Sequence, residues 1–135
     1  FDTKYTYNFW RPVTAIRWLD DGNRAIRPDP AWTPYLITPP YPDYPCGTPM
    51  LAGAGTAILR DFFGTDRQRW TNTSNFPGQP AGPVTRRYNT FSAAADEAAM
   101  ARVYAGIHFG TGCRVGVDQG EKIAQYAFDH LLRPL

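Results

Sequence analysis

The sequence predicts an all-α fold, a helical bundle carrying long, ordered loops rich in proline and glycine. Three observations carry this. Apolar and small residues recur at helical spacing in several segments, no stretch sustains the apolar/polar alternation of a half-buried strand, and most prolines fall in one place. The 12 glycines and 13 prolines among 135 residues would suit a disordered chain, but 4 Trp, 8 Tyr and 8 Phe do not. A net charge of +2 excludes a strongly basic nucleic-acid binder. No apolar run reaches the eighteen or so residues of a membrane span. The length is one domain's worth at most, so residues 1–135 are taken as a single domain or part of one. The start, Phe1-Asp2-Thr3-Lys4, lacks the pattern of a leader and reads as the middle of a longer chain.

Each element follows from local chemistry. Phe1 to about Leu19 reads as helix interrupted near Asn8, because Pro12 clashes with the carbonyl four residues back. Eight of the thirteen prolines lie between Pro28 and Pro49, a density that forbids helix interior and central strand alike. That stretch is expected to be an extended surface wrap, pinned by Trp32, Tyr35, Tyr41 and Tyr44. Thr48-Pro49 reads as an N-cap followed by proline at the first helical position, opening a helix that runs to Gly64. Residues 65–91 show no period and read as a polar, turn-rich connection. From Ser92 an alanine-rich helix extends to about Ile107. Gly106, Gly110, Gly112, Gly116 and Gly120 space a tight turn and the start of a last helix. Its stripe is Val117, Ile123, Ala124, Ala127, Phe128 and Leu131.

Three segments suit an anion. Lys4 and Arg11 are seven apart, about one face of a helix, and are set among aromatics. Tyr44-Pro45-Cys46-Gly47-Thr48-Pro49 delivers the chain into a helix N-terminus, where free N–H groups and the dipole favour negative charge. Arg102 and His108 would point about 120° apart on a continuous helix, but Gly106 ends it and frees the imidazole. The two cysteines, Cys46 and Cys113, lack metal-type spacing. Alone they are compatible with a disulfide, buried thiols or a reactive thiol.

In this order, Lys-x6-Arg-Pro, a Pro-x-Gly turn opening a helix and Arg-x5-His resemble the pocket of the vanadium haloperoxidase and type 2 phosphatidic-acid phosphatase superfamily. The stretches YNFWRPVTAIR, DPAWTP, TPPYPDYP, FSAAADEAA and RVYAGIHF are similar to its bacterial haloperoxidase-like branch. The resemblance implies a helical bundle with further helices upstream, supplied by the same protein or by a partner chain, and an oligomer is compatible with it. It implies that Lys4, Arg11, Arg102 and the Gly47 N–H hold an oxyanion. His108 would bond vanadium, the sole metal contact implied, or attack phosphorus. Vanadate is the implied cofactor.

Three positions depart from the motif. The turn is usually Pro-Ser-Gly-His, so Cys46 and Thr48 replace a serine and the acid–base histidine, whose loss typically costs about 10²–10⁴-fold. Gly112 stands where an orienting carboxylate for His108 is expected. A free Cys46 thiol beside activated peroxide would oxidise. Because the resemblance brings Cys46 and Cys113 to one pocket, a disulfide between them is expected, and it would favour an extracytoplasmic location. Three functions follow: a vanadate-dependent haloperoxidase, a phosphatase with His108 as nucleophile, or a non-catalytic descendant stapled by the disulfide.

Overall fold

Asn8 divides the opening segment. In the computed structural model, which describes residues 1–18, 22, 25, 27–74 and 82–131, α1 (Asp2–Tyr7) ends on Asn8 in the left-handed conformation, with φ 46°. The chain restarts as α2 (Pro12–Trp18). The interruption falls where Pro12 required it, with proline taking the first helical position. Leu19 lies outside the described residues.

The proline-rich segment forms neither helix nor strand among its described residues and crosses the protein as an extended wrap. It ends at α3 (Gly47–Phe63), which stops on Gly64 with φ 65°. The predicted cap is displaced: Cys46 is the N-cap, it makes no side-chain cap bond, and Thr48 lies inside the first turn. After the hairpin described next come α4 (Ser92–Tyr104) and α5 (Gly110–His130).

The all-α expectation needs correcting between α3 and α4. Residues 67–90 contain an antiparallel pair, β1 (Arg67–Ser74) and β2 (Val84–Thr90), with Trp70 opposite Tyr88 and Thr73 opposite Thr85. Nearly every position of β1 is exposed, so neither face needed apolar residues and no alternation was written into the sequence. Cross-strand pairs hold it instead: Trp70 packs on Tyr88 at 5.0 Å, and the Thr73 and Thr85 hydroxyls bond at 2.8 Å.

A second correction concerns the glycines. Gly106, at φ 72°, does turn the chain after α4. Gly110, Gly112, Gly116 and Gly120 are instead all within α5, and three of them are buried. A Cβ on Gly116 would stand 2.4 Å from the Cys46 carbonyl oxygen, and one on Gly120 would be 2.1 Å from that of Met50. On the other helix, a Cβ on Gly53 would be 2.6 Å from the Val117 oxygen. The glycines let α3 and α5 approach backbone to backbone. The buried face of α5 is therefore Gly112, Cys113, Gly116, Gly120 and Ala124, while Ile123, Phe128 and Leu131 of the expected stripe are exposed. Cys46, Ala99 and Cys113, flanked by Val103 and Val117, close the small core between α3, α4 and α5. Among the described residues no helix is long and apolar enough to cross a membrane.

Candidate functional site

Where α1, the wrap, α3, α4 and α5 meet lies a cavity of about 580 Å³. Lys4, Gly47, Thr48, Arg102 and His108 line it, together with Tyr41, Gln119 and Lys122. The three separated segments of the sequence do converge. Arg102 reaches the cavity from the last turn of α4, and His108 follows the Gly106 turn, so the two are not forced 120° apart by a continuous helix.

Lys4 and Arg11 meet as expected, but by a different route. They belong to separate elements on either side of Asn8 rather than to one helix face. Both are buried, with the Tyr41 ring 5.4 Å from Lys4 Nζ and 5.0 Å from Arg11 Cζ. Lys4 donates to the carbonyls of Pro42 at 3.1 Å, Asp43 at 2.9 Å and Pro45 at 2.5 Å. An ammonium has three donors, and all three are engaged. Burial, and then the Arg11 guanidinium, hold its pKa below the ordinary lysine value. Arg11 donates from Nε to the Tyr41 carbonyl at 2.8 Å, from Nη2 to that of Pro42 at 3.4 Å and from Nη1 to that of Ile107 at 2.7 Å. It stands behind His108 and does not line the cavity. Arg102 contrasts with both, since its Nε is a buried atom with no hydrogen-bond partner.

His108 is 5% exposed. Its Nδ1 lies 2.7 Å from Asp43 Oδ1, and its Nε2 is 3.0 Å from Arg11 Nη1. A carboxylate accepts and a guanidinium only donates. Arg11 Nη1 also stands 3.4 Å from Nδ1, but the nearer partner of Nδ1 is the carboxylate, which favours the proton on Nδ1 and leaves the Nε2 lone pair to accept from Arg11. Burial alone would lower the His108 pKa. The Asp43 contact and the Cys46 thiol outweigh it, and the net direction is up.

The orienting carboxylate expected at Gly112 is absent from that position but present in space. A Cβ on Gly112 would stand 3.1 Å from Asp43 Oδ2. Sequence reasoning missed Asp43 because it sits in the proline-rich wrap, where the visible signal was extended backbone. Lys122 and Gln119 were missed as well, being ordinary polar residues of a helix with no motif around them.

The expected disulfide is not formed. Cys46 and Cys113 are free, buried thiols. Interaction with the Cys113 thiol lowers the Cys46 pKa below its ordinary value, and Cys46 together with burial raises that of Cys113. The location argued from the disulfide lapses with it. Alkylation of the denatured, unreduced protein should modify both cysteines, read by mass spectrometry; blocked thiols released only by reductant would contradict this geometry.

A family model described as the VCPO second helical-bundle domain matches residues 1–135. Among solved structures, the crystal structure of the first bacterial vanadium-dependent iodoperoxidase superposes with a TM-score of 0.74 at 34% identity, covering 97% of this chain and 29% of that one. The holo-type bacterial vanadium-dependent chloroperoxidase gives 0.74 at 27% identity, covering 95% and 31%. This chain thus spans less than a third of the length of both solved relatives. Among curated proteins, the chaperone protein MrkB of Klebsiella pneumoniae is 53% identical over 30 residues, which is 22% of this chain and 13% of that protein. So short a match carries no argument about fold.

Proposed function

The chain belongs to the VCPO second helical-bundle family of vanadium haloperoxidase-like domains, and from that premise we propose that its cavity binds a tetrahedral oxyanion, vanadate first. The observation that carries the reading is the convergence of Arg102, His108 and the uncapped start of α3 on one cavity. A free Nε donor on Arg102, a ring nitrogen whose lone pair accepts from Arg11 Nη1 at 3.0 Å until an anion displaces that contact, and the positive end of a helix together suit an oxyanion. Cations rather than carboxylates surround the cavity, which suits an anion and not a bare metal ion. The donor set therefore fits vanadate: His108 would hold it through a ring nitrogen, with Arg102 and the Gly47 N–H toward its oxygens. Lys4 and Arg11 add positive charge from beneath. When bound, vanadate supplies the Lewis-acidic centre that activates peroxide toward halide.

The chain's own residues do the rest. His108 presents Nε2, Arg102 neutralises charge, and the α3 terminus orients the oxygens. Thr48, exposed at the cavity rim, cannot exchange protons near neutral pH as the motif's histidine would. Turnover is thus expected to be about 10²–10⁴-fold below that of a site with an acid–base histidine. That substitution favours a second reading, an oxyanion-binding domain without turnover. Phosphoryl transfer through His108 shares the same cradle and is tested beside it. We read the chain as one part of a longer protein. Ile37, Tyr35 and Trp18 are 95%, 83% and 78% exposed, as surfaces covered by that remainder would be.

The experiment uses the full-length protein that contains this chain. Vanadate and phosphate are titrated, then iodide, bromide and chloride oxidation by peroxide is assayed beside phosphate-ester hydrolysis. Vanadate should bind, and His108→Ala should abolish both binding and any halide turnover. Failure to bind either anion at millimolar concentration would refute the oxyanion reading. Halide turnover that disappears in His108→Ala would refute the reading without turnover.

A further inference from the structure

We infer that Asp43 is the positioning residue of His108, taking the place of the carboxylate that Gly112 lacks and delivered to the imidazole by the Lys4 and Arg11 clamps on the wrap. This rests on the oxyanion reading of the cavity.

The geometry argues it in three steps. First, a carboxylate already faces the Nδ1 edge of His108. Asp43, 1% exposed, holds that place with Oδ1 at 2.7 Å, and its Oδ2 occupies the space a side chain at Gly112 would claim. A side chain at 112 would crowd Asp43 and force its carboxylate to give way, so the glycine leaves Asp43 its place. Second, Asp43 is held along its backbone and does not depend on the histidine for its position. Its N–H donates to the Phe9 carbonyl at 2.9 Å, and its carbonyl accepts from Lys4 at 2.9 Å. The carbonyls just before it, of Tyr41 and Pro42, accept from Arg11. Third, Asp43 does not line the cavity, so it acts on the anion indirectly, foremost through His108 at 2.7 Å and more weakly through Arg11 Nη1 at 3.8 Å. It keeps the proton on Nδ1 and the lone pair on Nε2, which accepts from Arg11 Nη1 at 3.0 Å and would pass from Arg11 to a bound anion. Outer carboxylates that fix a ligating histidine in this way are typically worth about 10–100-fold in affinity.

The test compares Asp43→Ala, Gly112→Asp and the double variant in the full-length protein. Histidine-selective ¹⁵N NMR reads the tautomer of His108, and titration with vanadate and with phosphate reads affinity. Wild type should show Nδ1–H. Asp43→Ala should mix the tautomers and weaken vanadate binding about 10–100-fold. Gly112→Asp alone should also weaken binding, because its Cβ would stand 3.1 Å from Asp43 Oδ2. The double variant should regain both the tautomer and an affinity within several-fold of wild type. An Nε2–H tautomer in the wild type overturns the assignment whatever the variants do. So does a double variant that keeps the wild-type circular dichroism yet binds no better than Asp43→Ala. If wild type binds neither anion, the oxyanion reading fails, and the tautomer comparison still decides the role of Asp43.

Discussion

Replacing Gly120 with alanine should lower the melting temperature by on the order of 10 °C. Two effects oppose each other. Alanine is the better helix former by about 1 kcal/mol, which favours the variant. Its Cβ, however, would stand 2.1 Å from the Met50 carbonyl oxygen and 2.8 Å from the Ala54 nitrogen. Both are backbone atoms of α3, so no rotamer change relieves the contact and the helices must part. Overpacking a fitted interface typically costs about 1–3 kcal/mol, and a backbone clash belongs at the upper end or beyond. The clash therefore wins, with a net cost of about 2 kcal/mol or more. The control is Gly55, an exposed residue of α3 where an added Cβ meets nothing within 4 Å. Gly55→Ala should melt at or slightly above the wild-type temperature. Equal melting points for the two variants would show that the α3–α5 contact does not depend on its glycines.

That interface also shows what a sequence displays and what it conceals. The end of α3 at Gly64 was legible and its start only to within two residues, because Gly64 and Pro49 are local signals read one turn at a time. The break at Asn8 was legible for the same reason. The close approach of α3 and α5 was not, because a glycine facing another backbone looks the same in sequence as a glycine in a turn. The hairpin was hidden by exposure: a strand with two solvated faces writes no alternation. At the site, Lys4, Arg102 and His108 were legible from an ordered motif, and the cavity brings them together. Asp43 was not, since it comes from 65 positions before His108, inside a segment whose prolines spoke only of backbone shape. Recovering it from sequence needed the pairing of two departures, a glycine where a carboxylate was expected and a carboxylate in the wrap.

The same wrap makes Lys4→Met the second large effect expected, and its consequence is structural before it is chemical. Methionine is an unbranched side chain one heavy atom shorter than lysine and buries well at a site only 8% exposed. It brings no donor to the carbonyls of Pro42, Asp43 and Pro45, all of which accept from Lys4 Nζ. A buried acceptor left without its donor costs about 1–3 kcal/mol. Three such losses exceed what is regained by no longer burying an ammonium held by hydrogen bonds, and a net destabilisation of about 3 kcal/mol is expected. The freed wrap would then carry Asp43 away from His108, so anion binding falls together with stability. Arg102→Met makes the contrast. The Arg102 Nε has no protein partner to lose, so its removal should weaken vanadate and phosphate binding while leaving the melting temperature nearly unchanged. Thermal melts and vanadate titrations on the two variants separate the roles. If Lys4→Met melts like wild type yet fails to bind anion, Lys4 is a direct oxyanion ligand. If it loses stability and affinity together while Arg102→Met loses affinity alone, the first lysine of the motif clamps the wrap in this chain, and the free arginine meets the anion.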